Sequence, residues 1–149
     1  MTDNIHPFQD QVSKMWDFIQ KRSRAITNEH WIEALSLTYT LYEMNLRVLL
    51  SSKVGDRKIT PEQIKNQKNL INLANLARDN GFIDQTIWDR IQKFNDGRID
   101  TIHYLAQGKI EYEQIREVLR KASRLFYDIQ NCWMPITFGE IETFEQYKK

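Results

Sequence analysis

The stretch from Leu35 to Leu50 restricts the possible folds of this chain more than any other segment. Its apolar residues occupy nearly every side of a helical wheel and do not form a single stripe. They are Leu35, Leu37, Leu41, Tyr42, Met44, Leu46, Val48, Leu49 and Leu50. A helix that is apolar almost all round is stable only when other elements surround it. We therefore predict a central, mostly buried helix that begins after Thr27 or Asn28 and ends at about Ser52.

The segments on both sides of this central helix also show helical periodicity. The whole sequence has only five glycines and three prolines, and they separate the periodic segments from one another. A first helix is predicted from about Phe8 to Ala25. A third begins at the capping box Thr60-Pro61-Glu62-Gln63, with proline at the first helical position, and ends at Asn80-Gly81.

Two further helices complete the predicted set. The fourth is capped by Asp84 and is broken or kinked at Asp96-Gly97, after which a short helix continues to Gly108. The fifth, from about Tyr112 to Cys132, has the most regular apolar stripe. No segment shows the alternation of a strand, no repeat is visible and no linker divides the chain. The sequence predicts an all-α fold: one domain over residues 1–149, an up-and-down bundle of about five helices with a short acidic-aromatic tail over residues 137–149.

Composition limits the classes of function without selecting one. The chain is 41% hydrophobic and 28% charged, which is typical of globular domains. Its formal net charge of +1 gives no overall attraction to a polyanion, so binding to nucleic acid would need a local basic patch. A single cysteine, Cys132, excludes an intramolecular disulfide and a cysteine zinc site. The N-terminal residues do not resemble a secretory signal and no stretch predicts a membrane span, so we expect a cytoplasmic protein.

Two arginine–histidine pairs have a spacing of interest for phosphodiester chemistry. Arg98 and His103 are separated by four residues, and Arg24 and His30 by five. Arginine holds a phosphate through two parallel hydrogen bonds, and histidine transfers protons near neutral pH. The pair formed by Arg24 and His30 crosses a predicted helix boundary and has no supporting context. We therefore treat Arg98 and His103 as the candidate pair.

The surroundings of this pair favour a phosphate site. In a continuous helix Arg98 and His103 would be about 140° apart around the axis. A break at Asp96-Gly97 would instead place Arg98 at a helix N-terminus, where free backbone N–H groups attract phosphate. Asp100 precedes His103 by three residues, so the two are neighbours on a helix surface. A carboxylate there can fix the imidazole tautomer and favour the protonated form.

Several of these features together resemble the HEPN domain superfamily, the small helical bundles found in many prokaryotic toxins and in defence ribonucleases. The resemblance covers residues 28–134. It rests on the end of the long apolar helix, the capped helix after it, a turn motif and the arginine–histidine segment: Leu46-Arg47-Val48-Leu49-Leu50, Thr60-Pro61-Glu62-Gln63, Asn80-Gly81-Phe82-Ile83-Asp84, Arg98…His103 and Tyr104-Leu105.

The resemblance implies a function and a set of partners. Active HEPN members are metal-independent endoribonucleases whose arginine–histidine motif faces a dimer cleft. By this resemblance the catalytic candidates are Arg98, Asp100 and His103, with no cofactor and no metal. The expected partners are a second copy of the chain, RNA and a cognate antitoxin or regulatory protein, without a membrane. One position departs from the family pattern, because Ile99 follows Arg98 where the family prefers a polar residue, often asparagine.

This departure leaves two other functions open. The chain can be a catalytically inactive HEPN-like module that binds RNA, a nucleotide or a partner protein. It can also be a helical dimerisation or adaptor protein without a nucleic-acid function.

A basic stripe on the last predicted helix is a second candidate feature. Its residues recur every four positions or lie beside that series: Arg116, Arg120, Arg124 and Lys121. Such a stripe can follow an RNA backbone. Alternatively, the acidic residues within one turn make it an ordinary salt-bridged exposed face. Those residues are Glu113, Glu117 and Asp128.

Overall fold

The computed structural model describes residues 7–56 and 59–134, and this part of the chain consists of helices and their connections. The helices are α1 (Pro7–Thr27), α2 (Trp31–Ser52), α3 (Pro61–Lys65), α4 (Leu70–Asp79), α5 (Gln85–Ala106) and α6 (Tyr112–Gln130). A 3₁₀ turn at Val54–Asp56 follows α2. No strand occurs among the described residues, so the all-α class is confirmed. The tail predicted over residues 137–149 lies outside the described residues.

Helix α2 is the central helix that its apolar sequence predicts. It contacts every other α-helix of the described chain: α1, α3, α4, α5 and α6. Its side chains from Leu35 to Leu50 include seven hydrophobic residues with at most 2% exposure, among them Leu46 and Leu49. Burial of this kind is the dominant favourable term in folding. The core of the protein is therefore built around α2.

The predicted third helix is wrong in one respect, because the structure divides it into α3 and α4. The capping box at the start is confirmed: the Gln63 N–H donates to Thr60 Oγ1 at 3.2 Å, and the Thr60 N–H donates to Gln63 Oε1 at 2.8 Å. The break comes at Asn66–Asn69, where Asn69 Oδ1 accepts the Asn72 N–H at 2.9 Å and caps α4. Asparagine competes with the helical backbone for hydrogen bonds and favours caps, which explains the division.

Helix α5 runs without interruption through Asp96-Gly97, so the predicted break there is wrong. The helix begins as predicted, with Asp84 Oδ1 accepting the Ile87 N–H at 2.8 Å. A glycine inside a helix costs about 1 kcal/mol relative to alanine, which weakens a helix of this length without ending it. Instead, α5 ends just before Gly108, whose φ of 69° is a conformation that glycine adopts easily.

Helix α6 carries the apolar stripe that the sequence predicts and packs it against α2. Three buried polar donors, Arg22 of α1 and Tyr42 and Asn45 of α2, bind backbone carbonyls of α6 that are about one helical turn apart. We call this set the polar ladder. Its hydrogen bonds are Arg22 Nη2 to Leu119 O at 2.9 Å, Tyr42 OH to Ala122 O at 2.6 Å and Asn45 Nδ2 to Phe126 O at 3.0 Å.

Each donor of the polar ladder is satisfied although it is removed from water. Arg22 also donates through Nε to Thr38 Oγ1 at 2.6 Å. Burial lowers the pKa of Arg22 to about 10, so its guanidinium is still charged at neutral pH. Burial raises the pKa of Tyr42, which keeps its phenol protonated as a donor. Buried polar groups without partners are costly, so the ladder favours one register of α6 along α1 and α2.

The polar ladder predicts a specific loss of stability for Tyr42→Phe. The substitution keeps the buried ring and removes only the hydroxyl that binds Ala122 O. We expect the free energy of unfolding to fall by about 1 kcal/mol in urea titrations, the usual net value of one hydrogen bond. The control is Tyr104→Phe at an exposed position on α5, where no change is expected. Equal stability of the two variants would contradict the role given to the ladder.

Candidate functional site

The second half of α5, which carries the Arg98–His103 segment, is covered only on one side. Ile102 and Leu105 are partly buried against a small core cluster that contains Trp31, Ala34 and Ile115. Ile91 is the one fully buried residue of α5, and it lies in the first half of the helix. On the other side of the second half, Ile99, Asp100, His103 and Tyr104 are exposed.

Arg98 is directed from α5 towards α2. Its guanidinium carbon lies 4.1 Å from the centroid of the Tyr39 ring, a cation–π contact. Burial raises the pKa of the Glu43 carboxyl, and the positive charges of Arg47 and Arg98 oppose that shift. The Nε–H of Arg98 is buried and has no hydrogen-bond partner among the described residues. Arg98 is therefore held beside α2 by its contact with the Tyr39 ring, and its guanidinium forms no hydrogen bond or ion pair with another described residue.

His103 and Asp100 lie in the exposed part of the α5 surface. They are three residues apart and are neighbours on the helix, as predicted. Neither side chain forms a hydrogen bond or ion pair with another described residue. Two large apolar side chains lie next to them in the sequence and are also exposed: Ile99 at 51% and Tyr104 at 49%.

The continuous helix changes the relation between Arg98 and His103. They are about 140° apart around the α5 axis, and Arg98 contacts α2 while His103 is exposed. The predicted phosphate site at a helix N-terminus is wrong, because the helix passes through Gly97 and uses its backbone N–H groups internally. Within one chain, the two side chains are not brought together. Catalytic roles for Arg98, Asp100 and His103 stay a prediction.

The basic stripe on α6 is partly salt-bridged and partly free. Arg120 donates two hydrogen bonds to the Glu117 carboxylate, at 2.7 and 2.9 Å, and Lys121 lies 4.0 Å from the same carboxylate. The hydrogen bond from Arg120 holds the pKa of Glu117 below its usual value. Arg116 and Arg124 are exposed and have no hydrogen-bond or ion-pair partner among the described residues. The salt-bridged interpretation thus holds for Arg120 and Lys121, and RNA binding by the stripe stays a prediction.

A groove between α5 and α6 brings part of this stripe together with basic residues of α5. The cavity has a volume of about 380 Å³ and is open to solvent. We call it the α5–α6 groove; its lining residues include cations on the rim and apolar side chains on the floor. They are Tyr42, Arg90, Lys93, Phe94, Val118, Lys121, Ala122, Arg124 and Leu125.

Sequence reasoning missed Arg90 and Lys93 as members of this surface. The available signal was their spacing of three residues, which places both on one side of a helix. The sequence does not say which helix lies beside the basic stripe. The packing of α5 against α6 supplies that information.

Comparison with other proteins adds no family assignment. No protein-family model, curated protein or solved structure matches the chain. Within residues 7–56 and 59–134, no group of three histidine, cysteine or acidic side chains is placed to hold a metal ion. The helices in that part of the chain also contain no stretch long and apolar enough to cross a bilayer.

The continuity of α5 predicts that Gly97→Ala stabilises the protein. A Cβ at Gly97 meets no atom within 4 Å, and its φ is not among the positive values. We expect the free energy of unfolding to rise by about 0.5–1 kcal/mol, because alanine loses less conformational entropy in a helix. Urea titration measures the change.

The matched control is Gly81→Ala, which also has open space around the new Cβ but a φ of 75°. This substitution should lower the free energy of unfolding by about 1 kcal/mol, because alanine is strained there. A destabilising effect of Gly97→Ala would show that α5 is not helical at Gly97 in solution.

Proposed function

We propose that this chain is a HEPN-like, metal-independent endoribonuclease of toxin or defence type, with an active site formed where two copies pair along the second half of α5. The observation that supports the proposal is the apolar exposure around the candidate residues. Ile99 and Tyr104 are about half exposed beside Asp100 and His103. The two side chains are about 140° apart around α5, and Asp100 and His103 lie on the exposed strip between them. Exposed large apolar side chains on one side of a helix are typical of protein–protein contacts.

Twofold pairing supplies the proposed site with two histidines. An isologous interface uses the same surface on both copies, so two His103 side chains border one cleft. Arg98 lies about 140° from His103 around α5, on the side that faces α2, so it reaches the same phosphate only when its side chain leaves the Tyr39 ring.

The proposed reaction needs one base and one acid. A neutral His103 imidazole accepts the proton of the ribose 2′-hydroxyl while the 2′-oxygen forms a bond to phosphorus. The bond from phosphorus to the 5′-oxygen breaks, and the protonated imidazole of the second copy donates its proton to that oxygen. Arg98 stabilises the negative charge on the non-bridging oxygens. The products are a 2′,3′-cyclic phosphate and a 5′-hydroxyl.

A second candidate function is an inactive HEPN-like module that binds RNA. The contact of the Arg98 guanidinium with Tyr39 favours it, because a guanidinium engaged at 4.1 Å from a ring has less freedom to bind phosphate. The apolar Ile99 directly after Arg98 also favours the inactive module, because the family prefers a polar residue at this position. Binding without turnover distinguishes this module from the enzyme.

Cleavage of end-labelled RNA in EDTA tests the catalytic role of His103. We expect wild-type protein to produce 2′,3′-cyclic phosphate ends and His103→Ala to lose about 10²–10⁴-fold in rate, the usual contribution of general acid–base catalysis. Arg98→Ala should show a loss of similar size.

The matched control is the second arginine–histidine pair. His30 is exposed and contacts Glu33, and His30→Ala should cleave at the wild-type rate. Equal activity of wild type, His103→Ala and Arg98→Ala would remove this site from consideration. RNA binding without any cleavage by wild type would favour the inactive module.

The proposed seam along α5 is tested by Ile99→Lys. A lysine in the apolar centre of a symmetric interface brings two like charges together, so we expect a dimer of the wild type to dissociate into monomers. Sedimentation velocity measures the change, and RNA cleavage should fall in parallel. Ile32→Lys is the control, because Ile32 is 47% exposed on α2, and this variant should stay dimeric. A wild-type protein that is monomeric at micromolar concentration contradicts the shared active site.

A further inference from the structure

We propose that the α5–α6 groove is a binding site for a nucleotide unit, with the base on the apolar floor and the phosphate on the basic rim. The shared chemistry is a planar aromatic ring joined to an anionic group. Its source is either a free nucleotide or one nucleotide of an RNA strand. This site is separate from Arg98 and His103, and nucleotide binding there does not require the proposed ribonuclease activity.

The floor of the groove is aromatic and firmly held. The rings of Phe94 and Tyr42 meet edge to face, with centroids 4.7 Å apart. Tyr42 is in turn fixed to α6 by its hydrogen bond to Ala122 O. Val118 and Leu125 add apolar surface from α6. Tyr42 is fully buried, so Phe94 is the aromatic ring of the floor on which a base can stack, and every base has a π-face.

The rim carries more positive charge than its carboxylates balance. Arg90 forms a salt bridge with Asp128, and this pair is locally neutral. Lys93 and Arg124 are exposed and have no hydrogen-bond or ion-pair partner among the described residues. Lys121 lies 4.0 Å from a Glu117 carboxylate that Arg120 already binds. Clustered cations in a cleft attract phosphate, even though the chain as a whole has a net charge of only +1.

The combination of floor and rim selects the ligand class. An inorganic anion would use only the cations, and an apolar molecule would use only the floor. The volume of about 380 Å³ lies within the range of small-molecule sites, roughly 300–1,000 Å³. A nucleotide uses both parts of a cavity of this size, whereas a helical peptide needs a longer channel.

Isothermal titration calorimetry with the full chain tests the proposal, using AMP, adenosine, inorganic phosphate and a five-nucleotide single-stranded RNA as probes. We expect AMP to bind at least tenfold more tightly than adenosine or phosphate, and its affinity to fall with added salt. If the RNA binds no more tightly than AMP, a free nucleotide is the ligand. If the RNA binds at least tenfold more tightly, the groove holds one nucleotide of a strand. Absence of saturable binding by both AMP and the RNA at millimolar concentration overturns the proposal.

Charge-reversal variants locate the binding in the groove. The double variant Lys93→Glu, Arg124→Glu should lower the affinity for the tighter-binding probe at least tenfold. The control double variant Lys65→Glu, Lys109→Glu has the same change of charge at exposed positions outside the groove and should bind as the wild type does. An equal loss in both double variants would mean general electrostatic attraction and would contradict a defined site.

The aromatic floor has its own test. Phe94→Leu should reduce the affinity for AMP towards that for phosphate and leave phosphate binding unchanged, because it removes stacking and keeps the rim. His103→Ala should bind AMP as the wild type does, which separates this site from the proposed catalytic one. If Phe94→Leu leaves AMP affinity unchanged in a folded protein, as judged by circular dichroism, the base does not occupy the floor.

Discussion

The three buried hydrogen bonds of the polar ladder hold α6 against α1 and α2, and the rest of the structure depends on that contact. Arg22, Tyr42 and Asn45 each donate to a backbone carbonyl of α6, and the three acceptors Leu119, Ala122 and Phe126 are about one helical turn apart. A carbonyl in a helix accepts its intrahelical bond and still has a lone pair for a second donor. Sliding or rotating α6 would leave these donors unpaired away from water, which is costly. Apolar packing favours burial of α6 in many orientations, whereas the hydrogen bonds of the ladder favour one orientation and register of this helix.

The same contact determines where the two candidate surfaces lie. Phe94 packs edge to face on the ladder residue Tyr42, so the first half of α5 lies beside α6 and forms the α5–α6 groove. The second half of α5 continues the same helix, and none of its residues is fully buried. Its exposed side carries Ile99 and His103. One rigid helix thus presents a basic groove at its first half and an apolar surface around a histidine at its second.

Features that depend on local chemistry could be predicted from the sequence. The all-α class and the central position of α2 follow from apolar periodicity, and the starts of α3 and α5 follow from the caps at Thr60 and Asp84. The continuity of α5 at Gly97 was not predictable from local signals, because a glycine's helix penalty of about 1 kcal/mol is smaller than what tertiary packing contributes. The division at Asn69 shows the opposite case, in which a side-chain cap outweighs a continuing apolar pattern.

The candidate site depends on information that one sequence does not contain. The pair formed by Arg98 and His103 could be identified from its spacing, but the stacking of Arg98 on Tyr39 needs the position of α2. Similarly, the groove could be identified only from the packing that makes Lys93 of α5 and Arg124 of α6 line the same cavity. Spacing along one helix predicts which residues share a face; it does not predict which helix that face contacts.

A subunit-mixing experiment tests most directly the central claim that two copies share one active site. Wild-type protein is mixed with a ninefold excess of His103→Ala, the subunits are allowed to exchange, and RNA cleavage is measured per wild-type chain. If each site needs His103 from both copies, only wild-type homodimers are active, and the rate per wild-type chain falls to about one tenth. An unchanged rate per wild-type chain would show that each chain acts alone, and the shared site would be wrong.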